Sequence, residues 1–180
     1  MSTLKELLGA GGGVGGLSYK YQVFTSSGTF TPSAGLLAAG GNVKVILYGS
    51  GGNAGVGDGT WTGTGGGGGA YVEATLIITA SETVTINAGG TAGVTSFGLK
   101  LKANGGSNGN DYSSSSVGLG GAVTISSEGG RKSFKGSDGA AYSYGVPTNG
   151  SDGVLGSGGL SGTLSGGKGS NGVCIVEWYE

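Results

Sequence analysis

The sequence predicts an all-β fold, a jelly-roll-like β-sandwich that carries long glycine-rich loops. Short apolar and β-branched segments alternate with turn residues along most of the chain, a pattern typical of sandwiches. Little of the sequence between these segments has helical apolar spacing. Glycine supplies 47 of the 180 residues but proline only 2, which excludes collagen because collagen requires abundant proline.

The composition favours a folded chain in spite of its glycine content. Each glycine costs roughly 0.5–1 kcal/mol relative to alanine when its backbone is ordered. However, 36% of the residues are hydrophobic and only 11% are charged. Intrinsically disordered chains have the opposite balance, with low hydrophobicity and high charge.

Residues 1–18 are predicted to form a leader ahead of a single glycine-rich β-domain at 19–180. Leu4, Leu7 and Leu8 have helical spacing, and the glycines that follow end any helix. Two interpretations stay open: a disordered leader, or an anchor peptide joined to the domain by a flexible glycine hinge. No signal-peptide core and no membrane-spanning apolar run is visible, so we expect neither export nor membrane insertion.

Eight segments of the domain have strand character. The last of them, Val173–Tyr179, is apolar on both faces over four residues, so we place it centrally in a sheet. Cys174 lies within this run and is expected to be a buried, inert thiol. The predicted strands are residues 19–24, 29–32, 42–48, 70–79, 83–87, 97–102, 122–126 and 173–179.

Long glycine segments at 49–69, 105–121 and 150–172 connect these strands, and parts of them repeat glycine at every third position. A period of three is neither helical nor β; it matches an extended left-handed helix without internal hydrogen bonds. Buried backbone groups in such helices must pair with neighbouring segments. Floppy surface loops are the alternative, but the triplet register favours a bundle of packed polyglycine-type helices.

The order of several segments resembles the glycine-rich domains of bacteriophage tail fibre and tail-tip proteins. The segments are FTSSGTFTP at 24–32, VKVILYGSGG at 43–52, GGGGGAYV at 65–72, TVTINAGG at 83–90 and GVCIVEW at 172–178. The glycine-rich extracellular domain of anaplastic lymphoma kinase-type receptors is similar in two of these segments. This chain lacks that domain's cysteines, so we treat it as a fold analogue only.

The resemblance implies a virion structural protein with a sandwich scaffold and polyglycine helices whose loops contact the host surface. The leader would attach the protein to other virion proteins of the tail or capsid, and a homotrimer is expected by analogy with fibres. The expected target is a host surface polysaccharide or an outer-membrane protein. The alternatives are a capsid decoration or head-fibre protein and an extracellular carbohydrate-binding module.

The residue types argue against catalysis and against nucleic acid. The chain has no histidine, which excludes a Ser-His-Asp triad, a Cys-His pair and histidine metal sites. Nine basic and ten acidic residues nearly cancel, and no basic stripe is present to bind phosphates. The few carboxylates are expected to be solvated or to lie in turns, as at Glu73, Glu82, Asp138 and Asp152. We therefore expect no enzyme activity, no metal and no cofactor.

Aromatic residues within glycine-rich loops are the candidate receptor contacts. They are Trp61, Tyr112, Tyr142 and Tyr144, whose side chains would stack on sugar rings or on protein loops. The alternative is that each fills a gap in the domain's own core. A basic cluster, Arg131 and Lys132 with Lys135, is either a site for anionic lipopolysaccharide or, more commonly for such clusters, a solvated turn.

Overall fold

The computed structural model describes residues 16–112, 123–125, 131–134, 158–159 and 165–180. Nearly all of the regular structure in these residues is β. The elements, in chain order, are β1 (Tyr19–Phe24), β2 (Gly28–Phe30), α1 (Ala34–Ala38), β3 (Asn42–Tyr48), β4 (Tyr71–Ile77), β5 (Glu82–Thr85), β6 (Val94–Phe97), β7 (Leu101–Asn104), β8 (Val123–Ile125), β9 (Arg131–Phe134) and β10 (Val173–Tyr179).

The strands form two five-stranded antiparallel sheets that pack face to face. Sheet A has the order β1-β10-β3-β4-β9, and sheet B has the order β2-β5-β6-β7-β8. Contacts between the sheets run from β3, β4 and β10 to β6 and β7. The predicted all-β, sandwich-like fold is confirmed.

The core lies between the sheets and is built by alternation along each strand. In β3, Val43, Val45 and Leu47 are buried, whereas the residues between them are partly exposed. Phe30 of sheet B is fully buried, and its ring packs across the core against Trp178 of sheet A, with ring centroids 5.4 Å apart. Full burial of one such side chain contributes about 1.5–3 kcal/mol, so this layer holds the two sheets together.

The final strand has the position that its composition predicts. β10 lies between β1 and β3, with Val176 opposite both Gln22 and Val45. Cys174 is fully buried, and burial raises the pKa of its thiol to about 12. Both the central placement of the strand and the burial of the cysteine are confirmed.

The prediction of one strand over residues 97–102 is wrong, because the chain reverses within this segment. Gly98 adopts a left-handed φ of 53° and donates its N–H to the carbonyl of Thr83 at 2.7 Å. Phe97 therefore ends β6 and Leu101 begins β7, with the two residues paired across the turn. A side chain at position 98 would strain this backbone, so the turn requires glycine.

A short helix, α1, was missed because five residues are too few to show helical periodicity. Ser33 caps its first turn by accepting the N–H of Leu36 at 3.0 Å, and Leu36 is fully buried. In the described part of the chain, no helix has the length and apolar character required to cross a membrane.

The interpretation of Arg131 and Lys132 as part of a solvated turn is also wrong. Their backbones belong to β9, with Arg131 opposite Ala74 and Lys132 opposite Glu73 of β4. Strand propensities do not predict this strand, because charged residues are disfavoured in strands except at sheet edges, and β9 is an edge strand of sheet A. Lys135 lies outside the described residues.

Candidate functional site

Four glycine-rich tracts continue the strands of the sandwich beyond its edge. Tract 1 (49–56) follows β3, tract 2 (63–70) leads into β4, tract 3 (105–112) follows β7, and tract 4 (165–172) leads into β10. Together they form what we call the glycine bundle. Tracts 1 and 2 prolong the β3–β4 hairpin, so the turn between them is the tip of the bundle.

Tracts 1 and 2 are joined by backbone hydrogen bonds at every third residue. This spacing differs from that of an antiparallel β-ladder and matches a backbone helix with three residues per turn. The bonds run from the N–H groups of Gly49, Gly52 and Gly55 to the carbonyls of Ala70, Gly67 and Thr64, at 2.7, 2.9 and 2.9 Å.

The other two faces of tract 1 are paired in the same way. Toward tract 4, the N–H groups of Gly51 and Ala54 donate to Ser170 and Gly167, both at 2.9 Å. Toward tract 3, the carbonyls of tract 1 accept hydrogen bonds. The donors are Gly106, Gly109 and Tyr112, and the acceptors are Ser50, Asn53 and Val56, at 2.9, 2.8 and 3.0 Å.

The bundle closes through direct bonds between tracts 2 and 3. The N–H groups of Thr64 and Gly67 donate to Asn110 and Ser107 of tract 3, and that of Ala70 donates to Asn104 at the end of β7, each at 2.9 Å. A further short segment, 158–159, joins tracts 1 and 2, because Gly159 donates to Gly52 and accepts from Gly66. Each backbone in this lattice is therefore held by several neighbours, which restricts its motion.

The triplet glycines are required by close approach rather than by backbone torsion. Left-handed φ values occur in the described chain at Gly40, Gly41, Gly59, Gly90 and Gly98, all of which lie outside the tracts. In the tracts, a Cβ would instead overlap a neighbouring backbone. At Gly52 and Gly55 it would overlap the carbonyls of Ser107 and Asn110 of tract 3, and at Gly49 that of Asn104 at the end of β7.

The packed-bundle interpretation of the glycine segments is thus confirmed over residues 49–56, 63–70, 105–112, 158–159 and 165–172. Floppy loops would not show carbonyl and amide pairing in three-residue register. The remaining parts of the glycine segments, at 113–121, 150–157 and 160–164, lie outside the described residues.

Asparagine side chains add cross-links to the bundle. The side-chain oxygen of Asn108 accepts the backbone N–H of Asn53 at 2.8 Å, and the side-chain oxygen of Asn53 accepts the backbone N–H of Gly169 at 2.9 Å. Asn53 therefore links tract 1 to tracts 3 and 4. A short amide side chain can imitate the backbone carbonyl here, which explains its place among the glycines.

The turn at the tip is organised by one carboxylate. Asp58 Oδ1 accepts the N–H groups of Thr60 and Trp61 at 2.9 and 2.8 Å, and its own N–H donates to the carbonyl of Trp61. Gly59 completes the turn with a φ of 94°. The hydrogen bonds from Trp61 and Thr60 hold the pKa of Asp58 below its ordinary value, because they favour the ionised carboxylate.

The tip presents a stacked aromatic pair. The rings of Trp61 and Tyr112 lie nearly parallel, with centroids 6.1 Å apart and an interplanar angle of 12°. Val56 of tract 1 holds both Asp111 and Tyr112. Its N–H donates to Asp111 Oδ1 at 2.8 Å, and its carbonyl accepts the N–H of Tyr112 at 3.0 Å. Val56 and Tyr112 are exposed, and Trp61 is half-buried.

The chain ends of the domain lie at the other end of sheet A. Ser18 and Glu180 exchange two backbone hydrogen bonds, of 2.7 and 3.1 Å, next to the paired residues Tyr19 and Tyr179. Tract 1 leaves from the opposite end of β3. An eight-residue tract with a rise of about 3.1 Å per residue carries the tip about 25 Å beyond the sheet.

Two of the residues at this tip are receptor-contact candidates predicted from the sequence. Trp61 and Tyr112 are brought together, and neither belongs to the hydrophobic core of the sandwich. The sequence analysis missed Asp58, Asp111 and Val56, although Asp58 before Gly59 is an ordinary turn signal. The other candidates, Tyr142, Tyr144, Leu4, Leu7 and Leu8, lie outside the described residues.

The expected solvation of Glu73 and Glu82 is only partly met, since both are half-buried and paired with lysines. Lys44 Nζ lies 3.3 Å from Glu73 Oε1, and Lys100 Nζ lies 3.7 Å from Glu82 Oε1. Asp138 and Asp152 lie outside the described residues. The part of the chain that the structure describes holds no cluster of histidine, cysteine or acidic residues suited to a metal ion.

Comparison with known proteins adds no relative. The chain matches no protein-family model, and no curated protein matches it.

Proposed function

We propose that this protein is a non-enzymatic structural component of a bacteriophage particle, in the tail fibre, tail tip or spike. Its role is to attach the particle to the host surface through the tip of the glycine bundle. The single observation that supports this most strongly is the Trp61–Tyr112 stack, held by a hydrogen-bonded lattice on the side of the described domain opposite the Ser18–Glu180 pair.

The architecture of the bundle suits display. A binding surface gains affinity when its groups are ordered before contact, because less conformational entropy is then lost on binding. The lattice supplies that order by fixing the backbone on both sides of the tip turn. Exposed aromatic rings contribute large contact area with few rotatable bonds, and they stack well on pyranose rings and on loop residues.

The polarity of the molecule suits attachment at the N-terminus. Residues 1–18 lead into β1 at the end of sheet A that lies away from the tip. A leader bound to a tail or capsid protein through Leu4, Leu7 and Leu8 would therefore attach the domain on the side opposite the tip. By analogy with fibres, we propose a homotrimer with three tips, whose combined binding would exceed that of one tip.

The test is binding of the purified protein to intact host cells. Wild-type protein should bind and should compete with the phage for infection. Trp61→Ala and Tyr112→Ala should weaken binding about tenfold or more, as truncation of an aromatic anchor commonly does. Leu99→Ala, at an exposed side chain in the turn between β6 and β7, at the end of β7 away from tract 3, is the control and should bind as the wild type does.

Two results would redirect the assignment. A protein that neither binds cells nor blocks infection, yet is present in purified particles, would be a decoration or head-fibre protein with an architectural role. A protein absent from particles that still binds polysaccharide would be an extracellular carbohydrate-binding module. Turnover of bacterial polysaccharide by the purified protein would contradict the non-enzymatic role.

A further inference from the structure

We propose that the outer face of sheet A, at the end where the chain termini meet, holds a second binding site that takes a neutral saccharide unit. This site is independent of the aromatic tip and lies at the opposite end of β3. It is built by residues of β1, β3, β4 and β10, and we call it the sheet A site.

The sheet A site is a cavity of about 400 Å³. Small-molecule sites commonly have volumes of about 300–1,000 Å³, so a pyranose ring fits within it. Two aromatic rings border the cavity, those of Tyr19 and Tyr179, with centroids 5.4 Å apart and a tilt of 56°. They are 50% and 57% exposed, which is unusual for side chains of this size at neighbouring positions.

Polar groups converge on the same cavity from the neighbouring strand positions. The hydroxyl of Tyr19 donates to Glu177 Oε1 at 3.0 Å, and Glu177 Oε2 lies 3.6 Å from Lys44 Nζ. Thr75 and Asn42 complete the polar lining and are exposed. Donors and acceptors are therefore held within one small space by contacts among themselves.

The position of each charged group is set by a network across three strands. Lys44 also lies 3.3 Å from Glu73, whose second oxygen accepts the hydroxyl of Tyr71 at 2.6 Å. Each glutamate lies opposite a lysine in the strand register, Glu177 opposite Lys44 and Glu73 opposite Lys132, so the charges around the site balance. A balanced site gives phosphate, sulfate and carboxylate ligands no net attraction.

These features together select a neutral sugar. The ligand must place an apolar face against tyrosine rings, donate a hydrogen bond to a carboxylate and accept one from an ammonium group. A pyranose does all three, because its C–H face is apolar and each hydroxyl both donates and accepts. Tyr21, which is 66% exposed and stacks on Tyr19 at 6.1 Å, extends the aromatic surface toward a second sugar unit.

The test is an NMR titration of the full-length protein with neutral oligosaccharides, namely maltotriose, cellotriose and mannotriose. At least one of them should shift the amide signals of residues around Tyr19, Lys44 and Tyr179. A single sugar unit has about a dozen heavy atoms, so its dissociation constant should be about 1 mM. Methyl glucoside should bind at least as tightly as methyl glucuronide, which adds only a carboxylate.

The variants separate this site from the tip. Tyr179→Ala should weaken the titration about tenfold, and Tyr179→Phe, which keeps the ring, should restore most of the affinity. Trp61→Ala should leave the titration unchanged, and Tyr179→Ala should leave attachment of the tip to host cells unchanged. The failure of one site is therefore distinguishable from failure of the other.

Three outcomes would overturn the proposal. The first is that none of the three oligosaccharides shifts the sheet A signals. The second is that shifts occur only around Trp61 and Tyr112, which would place sugar binding at the tip alone. The third is that the exposed tyrosines are covered by a second copy of the chain, so that Tyr179→Ala changes the oligomeric state without a change in sugar binding.

Discussion

An alanine at position 52 tests the reason for the glycine triplets. Gly52 lies in the middle of tract 1, where a Cβ would overlap the carbonyl group of Ser107 and approach the N–H of Asn108 within 2.9 Å. Its φ lies outside the left-handed region, so alanine introduces no torsional strain. The expected cost is purely steric, and it falls on backbone atoms that cannot rotate away.

Overpacking of a well-packed site commonly costs about 1–3 kcal/mol, and contact with backbone places Gly52→Ala at about 3 kcal/mol. For a domain of this size, that corresponds to a fall in Tm of about 6–12 °C. Calorimetry and urea unfolding should both show it. Gly28→Ala is the control, because its Cβ would meet only the ring of Phe24 at 3.5 Å, an ordinary contact.

The result that refutes this reasoning is a Gly52→Ala protein whose free energy of unfolding lies within about 0.5 kcal/mol of the wild type. Tract 1 would then have room to move away from tract 3, and the glycines would have been selected for flexibility. A loss of stability in Gly28→Ala equal to that in Gly52→Ala would also refute it, because the effect would not be specific to the bundle.

Three other predictions follow from the structure. The pKa of Asp58 in the folded protein lies below its ordinary value of 3.8. The ionised carboxylate therefore stabilises the tip turn above pH 3.8, and this contribution is lost as the pH falls through the folded-state pKa. In a Trp178→Phe background, the fluorescence of Trp61 should change on acidification, and Asp58→Asn should abolish the change. The Cys174 thiol, whose pKa burial raises to about 12, should not react with a thiol reagent at pH 8 until urea unfolds the protein, and rapid labelling of the folded protein would contradict its burial. Phe97→Ala should lower the free energy of unfolding by about 3–5 kcal/mol in urea titrations, and a loss below about 1 kcal/mol would show that Phe97 does not belong to the buried core.

The strands that could be predicted are those whose own residues determine them. Val173–Tyr179 and Asn42–Tyr48 are rich in apolar and β-branched residues and each follows a glycine, and the structure places both as the sequence indicates. The strand prediction is wrong where the local residue pattern favours a strand but the chain turns to pair with a neighbouring strand. The alternation of residues 97–102 continues through Gly98, and only the backbone of a turn reveals that the strand is broken there.

The glycine triplets predicted packing but could not predict the partners of each tract. A glycine face has no side chain to specify its neighbour, so any tract could in principle pair with any other. The partners are fixed by the sandwich, because tracts 1, 2 and 4 keep the neighbours that β3, β4 and β10 already have. Tract 3 enters from sheet B, and no pattern within 105–112 indicates which tracts it joins.

The candidate site was only partly predictable for the same reason. Trp61 and Tyr112 were identified as aromatics in glycine loops, yet their stacking depends on the register between tracts 1 and 3. The sheet A site was not predicted at all. Tyr19 and Tyr179 lie in strands at opposite ends of the sequence, where a tyrosine is an ordinary residue, and only the pairing of β1 with β10 places them together.

The most direct test of the account is amide hydrogen exchange of the wild-type protein, resolved at Gly52, Gly55 and Gly67. The account predicts that these amides exchange about a thousandfold or more slowly than in an unstructured peptide, in line with amides of sheet A such as Val45. Exchange at the unstructured rate in all three glycines, while Val45 stays protected, would contradict the rigid bundle and remove the basis for display at its tip.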